Sequence, residues 1–328
     1  MATYKGIQGY TVQKLADDPT ASEAEGQLWY NSGTGKFKIA TAGAGAWATA
    51  TAMNTHHYGQ GGAGTVTAAL QAGGNSSPSV LTLNSETYNG STWTEGNNIN
   101  STRTNFGAAG TSTASIQAGG QAPAMVSVSE TYDGTSWTEG NNMLVARATR
   151  FSLVGVTTAA LQFGGNTGSV QLLNETYDGT CWSETNNLNA ARQNAASAGN
   201  QAGALCIGGG TPGMLDSVES WNGTSWTETS TDINTARGLM NGNGTTTNAI
   251  IFGGETATAQ VAQTESFNGT TWTEVGDMAV VSYGMGKACV NNSAALACGG
   301  AEGPPQTTTD LVEEWTDPVY TIKTVTVS

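Results

Sequence analysis

From Trp47 onward the bulky apolar residues do not return at the three-to-four spacing of a helix face. They alternate with polar residues in short runs, as in strands with one buried face. Glu86-Thr87-Tyr88 and Trp93-Thr94-Glu95 show the pattern. Glu86, Tyr88 and Trp93 fall on one face, and Thr87, Thr92 and Thr94 on the other. Between them Asn89-Gly90 predicts a two-residue hairpin turn, because that dipeptide accepts the positive φ of both central positions of a type I′ turn. Counting outward from that turn puts Glu86 directly opposite Trp93, with Tyr88 diagonal to it. Asp133-Gly134, Asp178-Gly179, Asn222-Gly223 and Asn268-Gly269 repeat the turn.

The pattern is periodic. Gly-Gly pairs stand at Gly73, Gly119, Gly164, Gly208, Gly253 and Gly299, at intervals of 46, 45, 44, 45 and 46 residues. An acid-x-aromatic triplet follows each pair, beginning at Glu86, Glu130, Glu175, Glu219, Glu265 and Glu313. Five residues beyond the aromatic come Trp93, Trp137, Trp182, Trp226 and Trp272, with Tyr320 in the sixth copy. Upstream, Ser115–Ala118 reads as another strand. The small residues of Phe106–Ala109 suit an innermost one, where sheets converge. Four strands per copy, six times over, predict an all-β fold: a six-bladed β-propeller with four antiparallel strands per blade. A linear solenoid would need polar capping repeats, and the copies show none.

Composition agrees. Gly supplies 45 of 328 residues and the charged fraction is 11%, too low for a helical bundle. Lys and Arg total 11 against 25 Asp and Glu, a net charge of −14. A nucleic-acid backbone or an acidic membrane surface calls for clustered Lys and Arg, so neither is an expected partner. No apolar run is long enough to span a bilayer, and the N-terminus has no apolar core of a secretory signal. The four cysteines form no C-x-x-C pair and fit no zinc spacing; they are expected as small buried apolar residues.

Ten residues after each Trp lies a further slot. Arg103, Arg147 and Arg192 fill it, Arg237 falls one residue later, and His57 and Ser282 take it in the first and last copies. A structural role is expected: each Arg pairs with a strand Glu or with backbone carbonyls. Glu95, Glu139, Glu184, Glu228 and Glu274 follow each Trp by two. On an exposed outermost strand they discourage pairing with another molecule's edge. The only histidines, His56 and His57, are adjacent and point to opposite faces of a strand, unsuited to copper. Carboxylates that recur identically suggest structure; Glu255, Glu302 and Asp310 are the weakly distinctive ones. No enzyme, metal or cofactor is expected.

Between each Gly-Gly pair and its Glu lie 11, 9, 9, 9, 10 and 12 residues, whereas the Asn-Gly turns hardly vary. Binding residues concentrate on loops that a scaffold leaves free to change. The candidates are Ser76, Pro78, Gln121, Met125, Thr167, Met214, Gln260, Pro304 and Gln306, neutral and suited to a glycan or a neutral protein surface.

The joint recurrence of Gly-Gly, acid-x-aromatic and Trp over residues 47–328 resembles the kelch repeat. That likeness implies a propeller of six or seven four-stranded blades. The sixth copy departs from it, with Thr316-Asp317-Pro318 in place of Asn-Gly. The N-terminal hairpin of Gly26-Gln27-Leu28-Trp29-Tyr30-Asn31-Ser32 and Thr34-Gly35-Lys36-Phe37-Lys38, leading to Gly45-Ala46-Trp47, is similar to structural proteins of tailed marine bacteriophages. Met1–Tyr10 belongs to the same pattern. This resemblance implies a virion protein of the tail or its fibres, made in the host cytoplasm and extracellular in the mature particle.

The organisation expected is an attachment segment at 1–46, docking on other virion proteins, and a propeller at 47–328 that binds a host-surface glycan or protein. Oligomers are compatible with it. The alternative is a capsid or neck decoration without a receptor; an enzyme degrading surface polysaccharide ranks last. The alternating stretch from Val319 to Val327 is the favoured closing strand, since it brings Tyr320 to the Trp slot. Gly45-Ala46-Trp47 is the other source for that strand.

Overall fold

A computed structural model describes residues 12–20, 26–42, 45–78, 80–317 and 320–326. The opening stretch Met1–Tyr10, singled out above, lies outside the described residues. The chain divides into two compact units, Met1–Gly45 with Asp317–Ser328, and Ala46–Thr316. The C-terminal segment, expected to belong with 47–328, is therefore grouped with the N-terminal one.

In the first unit Leu28–Asn31 and Lys36–Ala42 form the expected antiparallel hairpin. Gln13–Leu15 adds in parallel to the first of these strands, and Tyr320–Thr324 pairs antiparallel with the second. Trp29 and Ala40 are buried on this sheet, with Leu15 and Ile322 packed against them. Asp18 accepts hydrogen bonds from Trp29 Nε1 (3.0 Å) and Asn31 Nδ2 (2.6 Å), which hold its carboxyl below the usual range against the cost of burial.

The described residues of Ala46–Thr316 hold six four-stranded antiparallel sheets. Sheet I comprises Gly61–Thr65, Ala68–Ala72, Ser85–Tyr88 and Trp93–Glu95. Sheet II comprises Gly107–Thr111, Ala114–Ala118, Ser129–Tyr132 and Trp137–Glu139. Sheets III to V repeat this order with first strands Leu153–Val156, Ala196–Asn200 and Asn241–Thr245. Sheet VI takes Gly286–Asn291, Ala294–Cys298 and Val312–Thr316, and its fourth strand is Ala46–Thr49. The first strand of each sheet lies beside the first strand of the next, and that of sheet VI lies beside that of sheet I.

The fourth strand of sheet VI corrects the favoured source. Trp47 lies directly opposite Trp315, and Tyr320 pairs with Ala42 in the other unit. Alternation pointed to a strand over Val319–Val327. Tyr320–Thr324 is one, and Val319 and Val327 lie outside the described residues. Alternation says nothing, however, about which edge a strand joins. Trp47 also stands ten residues before His57, so the repeat had already placed it.

The hairpin register differs by one residue from the expectation. Tyr88 is directly opposite Trp93, and Glu86 is opposite Glu95. The cause is at Asn89. Of the Asn-Gly dipeptide, Gly90 alone takes a positive φ, 91°. The Asn89 side chain instead accepts the N–H groups of Ser91 and Thr92, each at 2.9 Å. Asn89 thus opens the turn as a side-chain acceptor, and the two corner residues are Gly90 and Ser91. Asp133, Asp178, Asn222 and Asn268 do the same. In sheets I to V the shifted register packs the aromatic of strand three against the Trp of strand four, stacked in sheets I and V and tilted in the others. Ring centroids are 4.9 Å apart for Tyr88–Trp93 and 4.8 Å for Phe267–Trp272. Such pairs contribute about 0.5–1.5 kcal/mol beyond the area they bury.

Cys206 and Cys298 are buried as expected, and burial pushes the Cys206 thiol up to about 12. Cys181 is exposed, because it occupies the turn residue before Trp182.

Candidate functional site

The recurring charges come first, since they decide which groups remain for binding. After each Trp strand the chain runs to the next sheet, and there its backbone meets the strand-three Glu. Glu130 accepts the N–H groups of Asn100 (2.7 Å) and Ser101 (3.2 Å), the Asn100 amide (3.0 Å) and Arg103 Nη1 (2.5 Å). Glu175 pairs with Arg147, Glu219 with Arg192 and Glu265 with Arg237, all with side chains at most 1% exposed. Glu86 receives the N–H groups of Asn54 and Thr55, and its Oε1 lies 3.6 Å from His57 Nε2. Burial lowers the pKa of Arg103, Arg147 and Arg237, opposed by the glutamate each one meets. These charges fasten each linker to its following sheet, as the Arg spacing predicts. The second acids are placed as expected, with Glu95 and Glu139 exposed on outermost strands.

The variable loops enter strand three and, in sheets I to V, the Asn or Asp turns leave it, so the two lie at opposite ends of those sheets. Several loops fold into two-stranded ladders of their own: Asn75–Ser77 with Val80–Leu81, Gln121–Ala122 with Ala124–Met125, Gly210–Thr211 with Gly213–Met214, and Ala301–Glu302 with Thr307–Thr308. Ser76, Gln121, Met125 and Met214 sit in these ladders. Pro78 is exposed on the tip of the first, and Thr167 Oγ1 accepts the Gln171 amide at 2.8 Å.

Four of the nine candidates converge. Met214 from the sheet IV loop, Gln260 from the sheet V loop, and Pro304 and Gln306 from the sheet VI loop line one open cleft of about 1020 Å³. Gln260 Oε1 accepts the Gly303 N–H at 2.7 Å, which ties two of the loops together. Ser76, Pro78, Gln121, Met125 and Thr167 are not part of that wall.

Sequence reasoning singled out Glu255 only as a weakly distinctive acid and missed the aromatic side of the cleft. Tyr283 lines it and packs edge-on against Tyr58, with centroids 5.5 Å apart. Glu255 lines it too, its carboxyl pushed up by burial and partly restored by the charge of Arg150. Tyr58 and Tyr283 both follow the Arg slot by one residue, a signal present in the sequence. Glu255 is the one carboxylate among the described lining residues; Glu302 and Asp310 are not in the lining.

A second space, about 230 Å³, is lined by residues from the first strands of all six sheets. Lys287 reaches into it. Its Nζ donates to the Gly242 carbonyl at 2.7 Å and lies 3.1 Å from Ser197 Oγ. Gly62, Ala108, Leu153, Ser197 and Gly242 occupy the corresponding strand position in the other sheets, so no repeat signal announces this lysine.

Among the described residues, no group of three or more His, Cys, Asp or Glu side chains is placed to hold a metal ion. Nor, among those residues, is any helix long and apolar enough to cross a membrane. Compared with protein-family models and with curated protein sequences, the chain matches neither.

Proposed function

We propose that the six sheets close into a six-bladed, kelch-like propeller, and that the chain is a non-enzymatic phage virion protein that binds a host-surface glycan or protein. The ring reading is supported by the adjacency of the first strands of sheets VI and I, and by backbone bonds that hand on from linker to linker. Asn105 N–H donates to Gly59 O (2.8 Å), Arg150 to Asn105 (2.9 Å), Leu239 to Asn194 (2.9 Å), Gly284 to Leu239 (3.0 Å), and Gly59 to Gly284 (2.8 Å).

The observation that carries the binding reading is the cleft between the loops of sheets IV, V and VI. It has an aromatic floor at Tyr283, amides at Gln260 and Gln306, and apolar edges at Met214 and Pro304. That mixture of a ring face and neutral hydrogen-bonding groups suits a sugar or a neutral peptide surface. A single carboxylate in the lining argues against the two-carboxylate geometry of a glycosidase.

Attachment falls to the other unit. Trp29 faces its core, while Leu28 and Phe37 leave apolar surface exposed on the same hairpin, as a docking face requires. Tail or fibre is the favoured site on the particle.

The test is binding of the purified chain to host envelope glycans and whole cells. A Met214→Ala, Gln260→Ala, Gln306→Ala triple variant should keep its circular dichroism and lose binding at least tenfold. Binding that survives the triple variant moves the ligand off this cleft, and absence of any binding favours a decoration role. Gold-labelled antibody on purified particles reads the location.

A further inference from the structure

Six linker positions face the buried glutamates of strand three. Five carry a basic side chain: His57, Arg103, Arg147, Arg192 and Arg237. The sixth is Ser282.

Every one of these basic groups faces its Glu carboxylate, and in three sheets it also meets a carbonyl of the Gly-Gly pair. Arg147 bonds Glu175 and donates from Nε to the Gly164 carbonyl at 3.1 Å. Arg192 donates to Glu219 at 2.7 Å and to the Gly208 carbonyl at 3.2 Å. His57 Nδ1 lies 2.7 Å from the Gly73 carbonyl, with Nε2 turned to Glu86.

At sheet VI both acceptors persist, as Glu313 and the Gly299 carbonyl. Glu313 is 5% exposed and accepts two backbone N–H groups, from Ala279 (2.7 Å) and Val280 (3.1 Å). Ala279 stands where Asn54, Asn100, Asn189 and Asn234 add a side-chain amide. Ser282 Oγ lies 3.4 Å from the Gly299 carbonyl, and a hydroxyl brings no charge. Ser282, Gly299 and Glu313 line a cavity of about 10 Å³, together with Met278 and Met285. That is room for about one water-sized species.

We propose that this cavity binds one monovalent cation of about water's size, of the potassium or ammonium class. Glu313, the Gly299 carbonyl and the Ser282 hydroxyl would hold it. The charge balance selects the ligand. A buried carboxylate without a counter-charge is strongly destabilising, and one positive charge restores the balance that arginine provides elsewhere. The oxygen donors suit a hard cation. A guanidinium ion exceeds the space. This site is independent of the loop cleft and of the host-binding reading.

The experiment compares thermal unfolding of the full chain in potassium, ammonium and tetramethylammonium chlorides at one ionic strength. Potassium or ammonium should raise the midpoint by about 2–4 °C over tetramethylammonium and then saturate. Ser282→Arg, which carries its own cation into the slot, should abolish the difference. Equal midpoints in all three salts overturn the proposal, as does a difference that Ser282→Arg retains. Rubidium-soaked crystals of the wild-type chain supply a check independent of the variant. An anomalous peak among Glu313, Gly299 and Ser282 supports the site, and density there without one means water only and overturns it.

Discussion

Sheets II and VI are built alike from different material. Sheet II is one continuous stretch, Gly107 to Glu139, in which Tyr132 pairs with Trp137. Sheet VI borrows its fourth strand from Ala46–Thr49, and Trp315 pairs with Trp47 in the same register. The paired rings, tilted against each other in both, are 4.9 Å apart in the first and 5.8 Å in the second. An aromatic pair across strands three and four therefore defines the unit, and the covalent turn between those strands is dispensable. The charges differ as well. Sheet II buries Arg103 against Glu130, whereas sheet VI presents Ser282 to Glu313. Sheet VI is tied into the unit by the path of the chain, and sheet II by an ion pair as well.

The largest expected effect breaks the borrowed strand. A chain starting at Ala50 and ending at Thr316 should lose cooperative unfolding and elute as an expanded or aggregated species. One spanning 46–316 should melt sharply. Circular dichroism and gel filtration read both, and a sharp melt for the shorter chain would show that the borrowed strand is unnecessary.

Next in size is the ion pair. Arg103→Ala strands a buried carboxylate and should cost about 3–5 kcal/mol in denaturant unfolding. Ser282→Ala, at the corresponding place, should change stability by less than about 1 kcal/mol. Equal losses would mean that the two slots are equivalent after all.

The smallest effect concerns sheet I. Burial raises the Glu86 carboxyl, but the His57 side chain and the Asn54 and Thr55 N–H groups outweigh it, so the folded value lies below the ordinary one. Its contribution is present above the unfolded value, near ~4.3, and fades as pH falls through the lower folded value. Glu86→Gln should flatten the acid limb of stability measured below about pH 4.5. An unchanged limb would remove Glu86 from the acid response.

Much of this was legible because the repeat samples one environment several times. The recurrence of Trp and of acid-x-aromatic triplets located the third and fourth strands. The Arg spacing foretold the buried pairs. Register was misread because Asn serves two turn chemistries, positive φ at a corner or side-chain acceptance at the start, and the dipeptide alone does not separate them. The partner of the C-terminal strand was illegible for a related reason, since pairing between distant strands depends on edges that no local pattern names.

Size complementarity between neighbouring sheets was also hidden. A Cβ on Gly286 would stand 1.7 Å from Gln71 Oε1, and one on Gly107 2.4 Å from Gln162 Oε1. Each glutamine needs the glycine of the preceding sheet, at sequence separations that no motif spans. The loop cleft was half visible. Variable length marked the right loops, but only folding showed that Met214, Gln260, Pro304 and Gln306 face one space while Ser76 and Thr167 do not line it.

The borrowed strand imposes an order in time. Translation makes Trp47 early, and its partner Trp315 emerges 268 residues later. At ~5–20 residues per second, roughly 10–50 s pass before the two rings can meet. Sheets I to V can assemble on the ribosome meanwhile, and of the ring and hydrogen-bond partners of the Trp47 indole only Phe252 and Thr264 of sheet V are then in place. Until Trp315 is made, strand three of sheet VI is missing and Ala46–Thr49 has no edge to join.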